Sequence, residues 1–116
     1  MVKEFFVSLD IFNVANGSQG TAKYTATEDL TLKKLIIMKA DGTAAYSTKA
    51  YVTIGKAVLA NNAYASAFYP DWSKTPELNE AHGNGYDLVI TLTNNEGTAT
   101  SYKIIAWYSR KIEATP

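Results

Sequence analysis

The sequence contains no cysteine, and it has only one histidine and one arginine among its 116 residues. A chain without cysteine can form neither disulfides nor thiolate metal sites, and it has no thiol nucleophile. The single histidine, His82, has no second histidine as a metal co-ligand, and no glycine-framed serine motif accompanies it. We therefore expect His82 to be a solvent-exposed loop residue, and we expect no metal site, no cofactor and no enzymatic activity.

An excess of charge of one sign is also missing. Eleven basic residues balance eleven acidic residues, so the formal net charge is zero. Such a domain has no overall field that would draw it to nucleic acid or to an anionic membrane. Arg110 is the only arginine, although arginine is the side chain best suited to bidentate contacts with phosphate and guanine. We expect no nucleic-acid partner, whereas a net charge near zero favours self-association.

Long hydrophobic runs are absent as well. No stretch approaches the ~20 apolar residues that a membrane-spanning helix needs. Residues 1–7 lack the basic segment and uninterrupted apolar run of a signal peptide, and Ser8 and Asp10 interrupt the apolar character that follows. The sequence therefore predicts no membrane span, and synthesis in the cytoplasm without a signal peptide.

What the chain does have is alternation of apolar and polar side chains, clearest between residues 86 and 108. A period of two is typical of a strand with one buried face. Gly97 fits the left-handed third position of a three-residue loop at 95–97. That loop predicts a hairpin in which Leu88 faces Ile104, because a one-residue slip would turn every apolar side chain to the wrong face.

The same alternation predicts further strands, at 3–14, 20–27, 29–40 and 44–54. Asn16-Gly17 and Asp41-Gly42 are strong turn signals between them. We expect each turn to close a hairpin, with Val7 opposite Ala26 in the first. The second strand is threonine-rich and reads as an edge of a sheet.

Residues 55–85 form an irregular excursion that is punctuated by glycine, proline and asparagine. The alanine-rich part, 57–68, fits one or two short strands or a helical turn. Thr75-Pro76 predicts a short helix near 76–81, because threonine caps a helix and proline suits its first turn. We expect the tail at 110–116 to fray.

Runs of antiparallel strands without intervening helices predict an all-β fold in a single domain, 1–116. We expect an antiparallel two-sheet β-sandwich of the jelly-roll type. An immunoglobulin-like sandwich and a small closed barrel are the alternatives.

The aromatic segment within the excursion is the first candidate for a functional site, and it comprises Phe68, Tyr69, Asp71 and Trp72. Aromatic rings can stack on a sugar while nearby polar groups bind its hydroxyls. The same rings can instead plug one end of the sandwich or form a protein interface.

A second apolar face on the strands of 86–108 is the other candidate. Ile105 and Trp107 alternate with Tyr102 and Ile104, and the predicted hairpin adds Val89 to their face. A strand pair that is apolar on both faces is covered by another element or by a partner subunit. Because tyrosine is favoured at interfaces and the chain has eight, Tyr102 joins these interface candidates.

Two functions follow from these features. The first is a non-enzymatic structural subunit that assembles with itself or docks on a structural protein partner. Small jelly-roll proteins of viral capsids and their appendages share this architecture, so a capsid-associated role in a virion is included. The second is a carbohydrate-binding module that uses Tyr69, Asp71 and Trp72.

Overall fold

The computed structural model describes residues 2–68 and 77–111, with only the backbone of Val2 and Lys111. Its strands are β1 (Val2–Val14), β2 (Gln19–Thr25), β3 (Leu30–Lys39), β4 (Lys49–Ile54), β5 (Ala57–Tyr64), β6 (Glu80–His82), β7 (Asp87–Thr93) and β8 (Thr100–Lys111). One turn of 3₁₀ helix, Ala65–Phe68, follows β5.

The strands form two antiparallel four-stranded sheets. Sheet I has the order β1-β8-β3-β6, and sheet II has the order β2-β7-β4-β5. The pairs β1·β8, β2·β7, β3·β6 and β4·β5 are all antiparallel neighbours, so the chain is one long ribbon folded back at the β4–β5 turn. A folded ribbon wound into two sheets is a jelly roll. The predicted two-sheet sandwich is confirmed, and the sheets do not close into a barrel.

The three predicted hairpins are wrong, although the strands they were to join are present. β1 and β2, β3 and β4, and β7 and β8 lie in different sheets. Val7 therefore pairs with Ala106 rather than Ala26, and Leu88 pairs with Tyr24 and Ile54 rather than Ile104. The turn residues bend the chain as expected, with Gly17 and Gly97 at φ values of 83° and 92°. A local turn signal sets the bend, but it does not choose the strand that pairs afterwards.

Each bend of the ribbon is a corner where two loops run side by side. At the first corner the loop after β1 contacts the loop before β8: Gly17 N donates to Asn94 O at 2.6 Å, and Asn94 N donates to Ser18 O at 2.9 Å. The second corner joins the loops after β2 and β6, where Gly85 N donates to Ala26 O at 2.8 Å. These pairs satisfy backbone groups that the sheets leave free at the corner.

Strand β3 contains a bulge that changes which side chains face the core. A strict period of two from Leu32 predicts Ile36 inward, but the register against β8 shifts between Leu32 and Lys34. Leu35 and Ile37 consequently face the core, and Ile36 pairs with Ile105 on the outward side. The extra residue of a bulge reverses the phase of the strand, and this overrides the sequence pattern.

The excursion at 55–85 is more regular than its composition suggested. It holds β5, the 3₁₀ turn and the short strand β6, and β4 begins only at Lys49 rather than near residue 44. The helix predicted near 76–81 is wrong for residues 77–81, because Glu80–His82 pairs with β3 as a strand. Residue 76 and the tail beyond 111 lie outside the described residues.

The core between the sheets is made of aliphatic side chains with two fully buried tyrosines, Tyr102 and Tyr108. Ala65 and Phe68 from the 3₁₀ turn join the same cluster, and Phe68 is only 5% exposed. Phe68 thus helps to close the core, as the plug interpretation of that residue predicted.

Candidate interface on the outward face of sheet I

The outward face of sheet I carries large apolar side chains where a solvated sheet would carry polar ones. On β1, Phe5, Val7 and Leu9 turn toward the core, while Phe6 and Phe12 point away from it. The exposed fractions of Phe6 and Phe12 are 60% and 73%. Neither phenylalanine is among the interface residues predicted from the sequence, although both stand at outward positions of the same alternation.

Phe6 lies beside Trp107, the neighbouring residue on β8. Their ring centroids are 5.6 Å apart with the planes tilted by 35°. The Trp107 indole Nε1 donates a hydrogen bond to Glu4 Oε2 at 3.2 Å, which fixes the orientation of the ring. Because adjacent outward residues on paired strands lie side by side, the two rings form one surface.

The part of this face that lies over β3 is already buried in the folded chain. Ile36 is 6% exposed and Lys34 is 9% exposed, even though both point outward. Ile105 and Trp107 on β8 are half-buried. The accessible region therefore runs over β1 and β8, and we call it the aromatic face; it is defined by Phe6, Phe12, Ile105 and Trp107.

Charges of both signs border the aromatic face. Lys103 Nζ lies 2.7 Å from Asp10 Oδ1, which is an ion pair between β8 and β1. Lys34 Nζ lies 5.9 Å from the centroid of the Trp107 ring, within the range of a cation–π contact. Glu4 accepts the indole N–H. The Asp10–Lys103 pair thus lies between Phe6 and Phe12 along β1, while Glu4 and Lys34 lie beside the Trp107 ring.

The two other residues predicted for the interface lie elsewhere. Val89 belongs to β7 of sheet II, so its outward side chain is on the opposite side of the sandwich from Trp107. Tyr102 is fully buried in the core, and its hydroxyl lies 2.7 Å from Thr48 Oγ1. Burial raises the pKa of Tyr102 above its ordinary value. The false hairpin accounts for Val89, whereas the alternation within β8 itself places Tyr102 on the face opposite Trp107.

Of the four residues predicted to form a sugar-binding site, the structure describes only Phe68. Phe68 is buried in the core and presents no ring for stacking. Tyr69, Asp71 and Trp72 lie outside the described residues.

His82 is not the exposed loop residue that the sequence predicted, because it is fully buried in β6 opposite Leu30. Its Nε2 lies 2.7 Å from the carbonyl oxygen of Tyr86, and its Nδ1 lies 2.8 Å from the Tyr108 hydroxyl. A carbonyl oxygen only accepts, so Nε2 carries the proton, and Nδ1 of the neutral ring accepts from Tyr108. Burial raises the pKa of Tyr108. Both ring nitrogens are occupied away from solvent, which gives His82 a structural role.

Two polar residues of the loop between β7 and β8 are also engaged in structure. Asn94 is fully buried and Glu96 accepts from Ser47 N at 2.6 Å and Thr48 Oγ1 at 3.0 Å. Among the residues that the structure describes, no group of three or more His, Asp or Glu side chains is placed to hold a metal ion. Within 2–68 and 77–111 there is also no helix long and apolar enough to cross a membrane.

Comparison of the chain with known protein families, with curated proteins and with solved structures gave no match in any of the three.

Proposed function

We propose that this protein is a non-enzymatic assembly protein, a small jelly-roll subunit that self-associates through the aromatic face. In that role it forms part of a larger structural shell, of which a viral capsid or its appendage is one kind. The observation that carries the proposal is the exposed ring of Phe6 beside Trp107 on the outward face of sheet I, with Phe12 exposed further along the same strand.

Exposed apolar residues scattered singly are ordinary on a protein surface, but a contiguous group is a sign of an interaction site. Transfer of a phenylalanine side chain from water to an apolar contact contributes about 1.5–3 kcal/mol. The exposed Phe6 with the half-buried Trp107 and Ile105 matches the aromatic centre of a typical interface, and Phe12 adds exposed apolar area at the other end of β1.

A second copy of the chain is the partner that the charges favour. Two-fold association brings a surface patch against itself, so the patch must be complementary to its own rotated image. The aromatic face has an accessible acid on β1, Asp10, beside an accessible lysine on β8, Lys103. A two-fold rotation can place Asp10 of one copy against Lys103 of the other. The net charge of zero adds no repulsion between copies.

Sedimentation velocity over a concentration series tests this proposal. We expect the wild-type chain to associate and Phe6→Ala and Trp107→Ala to weaken association while the fold, followed by circular dichroism, is retained. Loss of an aromatic anchor worth about 2 kcal/mol corresponds to an increase of about 30-fold in the dissociation constant.

Tyr51→Ala is the matched control, because Tyr51 is an exposed aromatic residue on β4 at the outward face of sheet II. It should leave association unchanged. A wild-type chain that stays monomeric at every concentration contradicts the proposal. Association that depends on Tyr51 and not on Phe6 would place the interface on sheet II, which also contradicts the proposal.

A further inference from the structure

The outward face of sheet II is polar over β2 and β7, whereas Tyr51, Val58 and Tyr64 are exposed on β4 and β5. Hydroxyl and amide side chains from β2 and β7 lie side by side along it. Gln19 Nε2 donates to Thr93 Oγ1 at 3.2 Å, and the hydroxyls of Thr21 and Thr91 are 3.3 Å apart. The part of the face over β2 and β7 therefore offers neutral hydrogen-bonding groups beside the exposed ring of Tyr51 on β4.

A shallow cavity of about 210 Å³ lies on this face between β2, β7, β4 and β5. The side chains that line it are mostly neutral donors and acceptors around one aromatic ring: Gln19, Thr91, Thr93, Asn61, Asn62 and Tyr51, with Lys49 as the charged member. Tyr51 is 42% exposed, so its ring is accessible.

A bulge in β5 forms the rim of the cavity. Ala50 pairs with Ala63 and Val52 pairs with Ala60, so Tyr51 stands opposite two residues, Asn61 and Asn62. Asn62 has a positive φ of 55°, and both asparagines are exposed. Bulges re-aim side chains and are common beside binding sites. Here the bulge brings two amides to the ring of Tyr51 where a regular strand would bring one outward side chain.

We propose that this cavity binds a neutral sugar residue, with the ring of Tyr51 against the sugar face and the amides of Asn61, Asn62 and Gln19 bonded to its hydroxyls. A tyrosine ring has an apolar face that can make contact with the sugar and a polar hydroxyl at its edge. A side-chain amide can donate and accept hydrogen bonds, and so can a threonine hydroxyl. These side chains therefore match the hydroxyls of a sugar, which also donate and accept. This inference does not depend on the assembly function, since it concerns the opposite side of the sandwich.

Other classes of ligand fit the lining less well. A metal ion would require carboxylates, and no acid lines the cavity. A phosphate or a nucleic acid would require several cations, whereas Lys49 is the one cation of the lining and its Nζ lies 3.5 Å from the centroid of the Tyr64 ring. Drug-sized ligands occupy clefts of about 300–1,000 Å³. The smaller cavity suits one residue of a glycan chain.

The test is binding of the full chain to a printed array of neutral and acidic glycans, followed by NMR titration with the strongest neutral oligosaccharide. We expect a neutral glycan to bind and the side-chain amide signals of Asn61, Asn62 and Gln19 to shift. Tyr51→Ala and Asn61→Ala should each weaken binding at least tenfold. Tyr46 is an exposed tyrosine outside the cavity, so Tyr46→Ala should leave the affinity for the glycan unchanged.

Three outcomes overturn the inference. The first is the absence of any glycan signal for the folded wild-type chain. The second is binding that survives both Tyr51→Ala and Asn61→Ala, which would direct attention back to the segment with Tyr69, Asp71 and Trp72. The third is binding of acidic glycans alone that is lost in Lys49→Gln, which would make the site an anion site. Phe6→Ala separates this result from assembly, because it should weaken association and leave the affinity for the neutral oligosaccharide intact.

Discussion

The backbone N–H of Gly17 donates a 2.6 Å hydrogen bond to the carbonyl oxygen of Asn94, and this bond joins the loop after β1 to the loop before β8. The side chain of Asn94 continues the junction. Its Nδ2 donates to Val14 O and to Thr98 O, both at 2.8 Å, and its Oδ1 accepts from Glu96 N at 2.9 Å. One buried amide therefore holds the corner at which the ribbon passes from sheet I to sheet II.

Replacement of Asn94 by alanine should destabilise the fold by about 2–4 kcal/mol, because each buried group left without a partner costs about 1–3 kcal/mol. Urea unfolding measures the change. Asn95→Ala is the control, since Asn95 is the exposed neighbour. Its effect should stay within about 0.5 kcal/mol. A loss below that value for Asn94→Ala would mean that the corner does not depend on this amide.

Gly20 is the position where the two layers approach most closely near this corner. A Cβ at residue 20 would lie 2.4 Å from Ile11 Cγ2 and 2.6 Å from Val14 Cγ2. Gly20→Ala should therefore cost about 1–3 kcal/mol through overpacking. At Gly97 a Cβ would meet nothing within 4 Å. Gly97→Ala should therefore destabilise the fold only by the strain of holding alanine in the left-handed conformation, about 1–2 kcal/mol. A crystal structure of each variant distinguishes the causes, since only Gly20→Ala should displace Ile11 or Val14.

Phe68 and Phe12 form a matched pair for testing the plug interpretation. Phe68 is 5% exposed in the core, and Phe12 is 73% exposed on the aromatic face. Phe68→Ala should lower the free energy of unfolding by about 3–5 kcal/mol, as expected for a large core side chain. Phe12→Ala should change it by less than about 0.5 kcal/mol. Equal effects in thermal or urea unfolding would mean that Phe68 does not close the core.

The strand content of this fold could be predicted from the sequence, but the pairing could not. Alternation identified β1, β2, β3, β7 and β8, because burial of one face imposes a period of two on any strand. The partner of a strand depends on contacts distant in sequence, and the turn at Asn16-Gly17 looks the same whether the chain stays in one sheet or crosses to the other. Strand β6 has three residues, too few to show alternation, which is why His82 was placed in a loop.

The candidate interface shows the same limits. Alternation within β8 predicted that Ile105 and Trp107 face away from the core, and it needed no knowledge of pairing. Val89 was added only through the false hairpin. The bulge in β5 that brings Asn61 and Asn62 to Tyr51 has no sequence signal, because it is defined by the register against β4.

The last prediction concerns the Tyr108–His82 hydrogen bond and how its contribution to stability depends on pH. Tyr108→Phe should destabilise the fold at neutral pH by about 1–3 kcal/mol, because Nδ1 of the buried His82 loses its donor.

Burial raises the pKa of Tyr108 in the folded chain, whereas the unfolded tyrosine ionises near its ordinary pKa of about 10. Above that pH the folded state holds more protons, so the stability from Tyr108 is complete below about pH 10 and is lost as the pH rises further. The gap in unfolding free energy between wild type and Tyr108→Phe should therefore narrow by up to about 1.4 kcal/mol per pH unit. Urea unfolding of the wild type and of Tyr108→Phe between about pH 8 and about pH 11 measures this gap. A gap that stays constant over that range would show that the Tyr108 hydroxyl ionises as freely in the folded chain as in the unfolded one.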